Sequence, residues 1–165
     1  MRILLSIILL LSGLFQAEAA YKPHKREFRG AWIQCVNGQF QGMSPTDMQK
    51  TLTRQLDILQ QYGTNAIIFQ VRAECDALYK SDIEPWSRYL TGRQGQAPTP
   101  YWDPLLWMVE QCHKRGMEIH AWINPYRITS STTSYSSIAK SSYAYKWSHS
   151  SSASKKRNVF SYGGA

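Results

Sequence analysis

The chain has 165 residues, of which 43% are hydrophobic and 18% charged, and this composition excludes disorder of the whole chain. The net charge of +8 is spread unevenly, because residues 20–127 carry 13 Lys or Arg against ten Asp or Glu, whereas residues 128–165 carry five basic residues and no acidic one. Since the longer part is close to balanced, the charge does not indicate a nucleic-acid partner.

Residues 1–19 have the pattern of a secretory signal peptide. A basic start at Met1-Arg2 precedes an apolar run from Ile3 to Leu11, and the segment 17–19 (AEA) forms a small-x-small cleavage site. The run is far shorter than the roughly 20 residues that cross a bilayer, so we expect no transmembrane segment. We expect cleavage near Ala19 and a mature protein that is periplasmic or secreted.

The three cysteines, Cys35, Cys75 and Cys112, are an odd number at wide spacing and lack the Cys/His pattern of a zinc site. We therefore interpret them as buried or incidental thiols and expect no metal; we expect no cofactor either. One disulfide can form in an oxidising compartment. Cys35 with Cys75 is the pair to test, because each follows a predicted strand.

The first predicted elements are a strand and a helix. Residues 28–36 are apolar, aromatic-rich and short, which is typical of a strand. Ser44 then provides a helix N-cap, Pro45 the first helical position and Asp47 the acid of a capping box. Tyr62-Gly63 ends the helix. The apolar residues at helical spacing between these ends are Met48, Leu52, Leu56 and Leu59.

The next elements continue an alternating order. Residues 65–71 form a continuous apolar run, typical of a parallel strand covered on both faces. A long polar and aromatic connection, 72–102, leads to a helix that Asp103-Pro104 begins and Gly116 ends. Residues 117–123 make a third strand. The order βαβαβ predicts an α/β fold with a parallel sheet built by right-handed crossovers.

In parallel α/β folds the ligand site lies where the loops after the strands gather, here 34–43, 72–95 and 124–127. Aromatic rings beside carboxylates and guanidinium groups, as in the second loop, suit a carbohydrate. The alternative is that ion pairs and packed rings only hold this loop to the sheet. The residues concerned are Arg72, Glu74, Asp76, Tyr79, Asp82, Glu84, Trp86, Arg88, Tyr89 and Arg93.

The third strand places His120, Trp122 and Asn124 on one face, which we expect to point into a barrel lumen. A hydrogen-bonded structural role is favoured for His120. Glycoside hydrolysis needs two facing carboxyl groups, and Glu74 and Asp76 are only two residues apart, so the catalytic residues are not identified. We predict that one mouth at the strand ends binds substrate and is lined by Arg72, Asp76, Tyr79, Trp86, Asn124, Tyr126 and Arg127.

Four ordered blocks, FRGAWI at 28–33, QVR at 70–72 with DALY at 76–79, PWS at 85–87 with LTG at 90–92, and HAWINPYR at 120–127, resemble the glycosyl hydrolase-like 10 family. The resemblance covers about 27–127. It implies the amino-terminal portion of a (β/α)8 TIM-type barrel, incomplete at about three strands and two helices. It also implies an exported bacterial glycoside hydrolase-like protein whose partner is carbohydrate, with peptidoglycan glycan strands as a substrate of some members.

Two features depart from the family pattern. Family members tend to carry a Pro-x-Gly-Asp sequence where this chain has the segment 73–76 (AECD). A full barrel takes about 250 residues, and the acidic residues expected of the family's catalysis lie near the end of the fourth strand and beyond. We therefore expect a truncated or frameshifted form of a longer protein that is inactive as it stands.

The segment after residue 127 differs in composition, since 16 of the 37 residues from Thr129 to Ala165 are Ser or Thr, without a helical or strand period. We expect residues 128–165 to be a mobile tail, cleaved rapidly at Lys155, Lys156 and Arg157. Three interpretations stay open: a piece of a glycoside-hydrolase-like domain at 27–127, a non-catalytic carbohydrate-binding or interaction protein, and a product without function.

Overall fold

The structure, a computed structural model, describes residues 27–130 and 137–162, with side chains described up to residue 157. The predicted signal peptide at 1–19 lies outside these residues. Within them, no helix is both long enough and apolar enough to cross a membrane.

Three parallel strands form the sheet, in the order β1 (Gly30–Ile33), β2 (Ala66–Arg72) and β3 (Glu118–Ile123). Helix α1 (Pro45–Gln61) connects β1 to β2, and α3 (Pro104–Lys114) lies between β2 and β3. A four-residue helix, α2 (Arg88–Thr91), lies inside the long connection after β2. Two further helices, α4 (Tyr143–Ser148) and α5 (Ala153–Tyr162), follow β3. The predicted alternation of parallel strands and helices is confirmed.

The two crossover helices begin where their caps predict. The Ser44 hydroxyl accepts a hydrogen bond from the backbone N–H of Asp47 at 3.1 Å, and the Asp103 carboxylate accepts one from Leu106 N at 3.0 Å. In each case a proline follows the cap. A side chain that satisfies one of the free N–H groups of the first turn fixes the start of a helix, so these starts follow from local sequence.

The core lies between one face of the sheet and helices α1 and α3. Phe69 and Ile33 from the sheet, Leu52 and Leu56 from α1, and Met108 from α3 are almost fully buried there. Burial of each such side chain stabilises the fold by roughly 1.5–3 kcal/mol. This packing holds β2 at the centre of the sheet and fixes the position of its carboxyl end.

The opposite face of the sheet carries aromatic side chains. Trp32 and Trp122 meet edge to face with ring centroids 5.0 Å apart, and Phe28 meets His120 at 5.5 Å. The Nε2 atom of His120 lies 3.2 Å from a Glu118 carboxylate oxygen. His120 therefore makes the kind of structural contact that the sequence favoured.

The Cys35–Cys75 disulfide that the sequence left open is not formed, and Cys35, Cys75 and Cys112 are all free thiols. The Cys35 thiol contacts the side-chain oxygen of Gln70 at 3.6 Å, whereas the Cys75 thiol lies 3.5 Å from the Arg72 guanidinium. The two sulfur atoms thus have different partners although each residue follows a strand.

The segment after β3 is more ordered than its composition predicts. Ile128, Ile138 and Ala144 are buried together, with Cys75 and Tyr145 packed against them. The expectation of a tail without docked structure is therefore wrong for residues 137–148. Composition misled because this cluster forms against the long loop after β2 and needs no helical period of its own.

Candidate functional site

The connection after β2 is an ordered loop that folds back on itself. The N–H of Ala77 donates to the carbonyl of Pro85 at 2.9 Å, and the N–H of Ser87 donates to the carbonyl of Ala77 at 2.8 Å. These two bonds hold the Trp86 segment beside Ala77. The loop after β2 therefore has a fixed backbone at the carboxyl end of the sheet.

Arg72, at the end of β2, joins this loop to the end of β3. Its Nε atom lies 2.8 Å from both carboxylate oxygens of Glu84, and its Nη1 donates to the backbone carbonyl of Asn124. Both ionic side chains are only 15% exposed. A planar guanidinium can hold a carboxylate and a carbonyl at once, which a lysine cannot do with the same geometry.

Asn124 completes the junction from the other strand. Its side-chain N–H donates to the carbonyl of Ala73 at 3.2 Å, and its side-chain oxygen accepts from the indole N–H of Trp122 at 3.0 Å. The amide of Asn124 thus bonds on both sides within the protein and holds the first turn after β3 to the first turn after β2.

A second ion pair lies deeper in the loop. The Glu74 carboxylate accepts bonds from Arg88 at 2.9 and 3.2 Å and from the hydroxyl of Tyr89 at 2.9 Å. Burial alone would raise the pKa of Glu74, but the hydrogen bonds from Arg88 and Tyr89 outweigh it and hold this pKa below its usual value. Arg88 also donates to Ser130, which ties the segment after β3 to the loop.

Asp76 is completely buried, and its Oδ1 accepts the backbone N–H of Glu74 at 3.1 Å. Its Oδ2 makes no hydrogen bond of good geometry among the described residues, although Ser87 and Gln94 lie close enough to lower its pKa. Burial is the larger effect and, together with the Glu74 charge, raises the pKa of Asp76 to about 6. Asp76 therefore holds the loop backbone from inside and does not face the surface.

Cys75 lies between these two carboxyl groups with a backbone φ of +40°. This left-handed conformation favours glycine, because a Cβ atom crowds the backbone there. It is also the position at which the Pro-x-Gly-Asp pattern expected from the family resemblance places a glycine. The loop therefore has a glycine-type backbone conformation at a cysteine.

A small polar cleft of about 210 Å³ opens beside the Arg72–Glu84 pair, and we call it the Trp86 cleft. The Trp86 ring packs edge to face on Tyr101 with centroids 6.1 Å apart. The cleft is lined by Ser81, Asp82, Ile83, Glu84, Pro85, Trp86, Gly95, Ser141 and Lys146. Ser141 and Lys146 come from the segment after β3, so two parts of the chain build it. A larger groove of about 550 Å³ lies between α1 and α3 on the outer helical layer.

The structure divides the seven residues that the sequence predicted as a binding mouth. Arg72 and Asn124 bond to each other at the strand ends, Asp76 is buried inside the loop after β2, and Trp86 lines the cleft. Tyr126 and Arg127 are exposed just after Asn124, and Tyr79 is half-buried after β2.

The sequence-based set of seven omitted several residues that build the site. Glu84, Glu74 and Arg88 form the ion pairs, and Lys146 lines the cleft. The partners of these ion pairs are 12 and 14 residues apart in the sequence. Such spacings follow neither the helical nor the strand period, so the sequence does not reveal the pairs. Lys146 was missed because its segment was expected to be unfolded.

Comparison with known proteins places this chain in a family. The model of the family described as glycosyl hydrolase-like 10 matches residues 27–160. The chain belongs to the glycosyl hydrolase-like 10 family. The family match runs beyond the motifs that end at Arg127 and includes the segment that supplies Ser141 and Lys146 to the Trp86 cleft.

Two curated relatives have names that agree with the glycosyl hydrolase-like 10 family. The chain is 39% identical over 152 residues to "Glycosyl hydrolase YngK" of Bacillus subtilis (strain 168), a match that covers 88% of this chain and 29% of that protein. It is 36% identical over 125 residues to "Glycosyl hydrolase DigH" of Escherichia coli (strain K12), which covers 69% and 28%. The chain therefore spans less than a third of the length of these relatives.

Proposed function

We propose that this chain is the part of an exported, glycoside-hydrolase-like (β/α)8 barrel protein that binds a glycan strand at the carboxyl ends of β2 and β3. Membership of the glycosyl hydrolase-like 10 family and the parallel sheet support this proposal. The signal-peptide pattern of residues 1–19 supports export. The observation that carries the proposal is the Trp86 cleft, since it is built on the loop that the two strand ends hold in place.

The cleft has the chemistry that a sugar ring needs. Trp86 lines the cleft, and an indole ring is a side chain on which the C–H face of a sugar packs. The hydroxyls of Ser81 and Ser141 and the carboxylate of Asp82 offer hydrogen bonds. Pockets for drug-sized ligands are typically about 300–1,000 Å³. A cleft of about 210 Å³ therefore suits one sugar unit of a longer strand.

We assign the residues around the cleft two kinds of role. Arg72, Asp76 and Asn124 hold the loop, because their polar atoms bond to the protein itself. Tyr126 and Arg127 are exposed after β3 and extend the surface along which further sugar units lie. The substrate class we propose is peptidoglycan glycan, in line with what the family resemblance implies.

The carboxyl groups of the loop favour binding over hydrolysis as the role of these residues. Glycoside hydrolysis needs one carboxyl group to protonate the leaving oxygen and a second to act as nucleophile or base. Glu84 uses both oxygens on Arg72, Glu74 bonds to Arg88 and Tyr89, and Asp76 is buried. We propose non-catalytic glycan binding as the role of this segment of the barrel.

Co-sedimentation of the purified chain with insoluble peptidoglycan tests this proposal. We expect the wild-type chain to bind and Trp86→Ala to bind at least tenfold more weakly, a loss of about 1.4 kcal/mol, because the stacking platform is gone. The control is Trp32→Ala, which removes an exposed tryptophan from the open face of β1. Equal binding by the two variants, or no binding by the wild type, would overturn the proposal.

A further inference from the structure

The carboxyl-terminal part of the chain has basic residues but no acidic residues that would balance their charge. Glu118 is the last acidic residue of the sequence, and five Lys or Arg follow residue 127. All five are exposed, and none of them forms an ion pair within 27–130 or 137–162. They are Lys140, Lys146, Lys155, Lys156 and Arg157. Uncompensated exposed charge of one sign attracts partners of the opposite sign.

Helix α5 places three of these cations at its unfavourable end. Lys155, Lys156 and Arg157 lie in the first half of α5, which begins at Ala153 and has no acidic residue in its first turn. The N-terminal end of a helix carries partial positive charge. Cations near that end are therefore repelled both by the helix end and by one another. The arrangement destabilises α5 in isolation, and a bound anion would relieve both repulsions.

We propose that the first half of α5 binds an anionic polysaccharide, through Lys155, Lys156 and Arg157. The inference rests on the proposed glycan-binding function, because it adds a second contact to the same class of polymer, specific for strands that carry carboxylate groups. Helices that bind a membrane surface need a wide apolar face, and α5 has only Val159 and Phe160 as strongly apolar residues. A charged polysaccharide needs no such face.

The experiment uses the full chain and two soluble probes, polygalacturonate, which is anionic, and dextran, which is neutral. The test variant is the triple Lys155→Gln, Lys156→Gln, Arg157→Gln. The control triple, Lys50→Gln, Arg54→Gln, Lys114→Gln, removes the same charge from exposed positions on α1 and α3. Binding is measured by calorimetry at low and moderate salt, and helix content by circular dichroism.

We expect the wild type to bind polygalacturonate but not dextran at the α5 site, with an affinity that falls about tenfold or more as NaCl rises from 50 to 200 mM. The α5 triple should lose at least tenfold in affinity and the control triple less than threefold. Polygalacturonate should also raise the helix content of the wild type and of the control triple, and leave that of the α5 triple unchanged.

Trp86→Ala separates the two proposals, because it should keep polygalacturonate binding while its binding to peptidoglycan weakens at least tenfold. Equal weakening by both triple variants would overturn the assignment to α5. Tighter binding to double-stranded DNA or to phosphatidylglycerol vesicles than to polygalacturonate at the same salt would overturn the polysaccharide as the partner.

Discussion

The guanidinium of Arg72 donates to the backbone carbonyl of Asn124, and the backbone N–H of Asn124 donates to the carbonyl of Arg72 at 2.9 Å. These bonds join the residue that ends β2 to the residue that follows β3. The loops after the two strands are therefore held at one rim, and the Trp86 cleft is built on the loop that Arg72 anchors through Glu84.

Removal of the Arg72 side chain should destabilise the protein strongly. Arg72→Ala leaves the 15%-exposed Glu84 carboxylate unpaired, and loss of one partner of such a pair costs about 3 kcal/mol. Lys50→Ala is the control, since its ion pair with Asp47 is 3.9 Å long and mostly exposed and should contribute no more than about 0.5 kcal/mol. Urea unfolding measures both. Similar losses in the two variants would show that the Arg72 junction is not structural.

Local signals predicted the alternating core of the fold. The caps at Ser44 and Asp103 and the apolar run of β2 each act over a few residues, so one sequence is enough to identify them. The starts of both crossover helices and the parallel order followed from these signals.

The loop interior was not predictable in the same way. The Glu74–Arg88 pair and the Ile128 cluster join residues that are distant in sequence and share no period. Asp76 is fully buried inside this loop, although its place in the sequence pattern fits a surface ligand contact equally well. Only the packed loop distinguishes a residue that faces substrate from one that supports it.

The stability of the protein should depend on the ionisation of Asp76. Because burial raises its pKa from 3.8 to about 6, the folded state binds more protons than the unfolded state between about pH 4 and 6, and stability falls as the pH rises through this range. Asp76→Asn should gain on the order of 3 kcal/mol relative to wild type between pH 4 and pH 7. Denaturant titrations across this range measure the difference, and one that does not change with pH would contradict the burial of this charge.

At position 75, a glycine should give a more stable protein than an alanine. At a φ of +40° a Cβ atom costs about 1 kcal/mol, so Cys75→Gly should be more stable than Cys75→Ala by roughly that amount. At the exposed helical position Arg54 the order should reverse, with Arg54→Ala more stable than Arg54→Gly by about 1 kcal/mol. Thermal unfolding of the four variants checks both orders, and the same order at both sites would exclude backbone strain at Cys75.

The docking of residues 137–148 should depend on Ile138. Truncation of this 8%-exposed side chain in Ile138→Ala should cost about 2 kcal/mol and loosen the bond from Ala139 N–H to the Gln94 side chain. Hydrogen exchange should then speed up at Ala139 while Leu52 in α1 keeps its protection. Unchanged exchange at Ala139 would mean that the Ile128 cluster does not hold this segment.

The purified chain should release no reducing ends from peptidoglycan glycan. The described loop carboxyl groups are engaged in ion pairs or buried, apart from the exposed Asp82, and one accessible carboxyl group does not make the facing pair that hydrolysis needs. A reducing-sugar assay against a boiled sample measures this. Release above that background would show that these residues, or others of the chain, form a catalytic pair.

The most direct test of glycan binding at the Trp86 cleft follows the indole N–H signals of the six tryptophans by NMR while a soluble peptidoglycan oligosaccharide is added. Single substitutions assign the signals. The account predicts a saturable shift of the Trp86 signal, with little change at Trp32 on the open sheet face or at Trp107 on the outer groove. A Trp86 signal that stays unchanged while Trp32 or Trp107 shifts would contradict it.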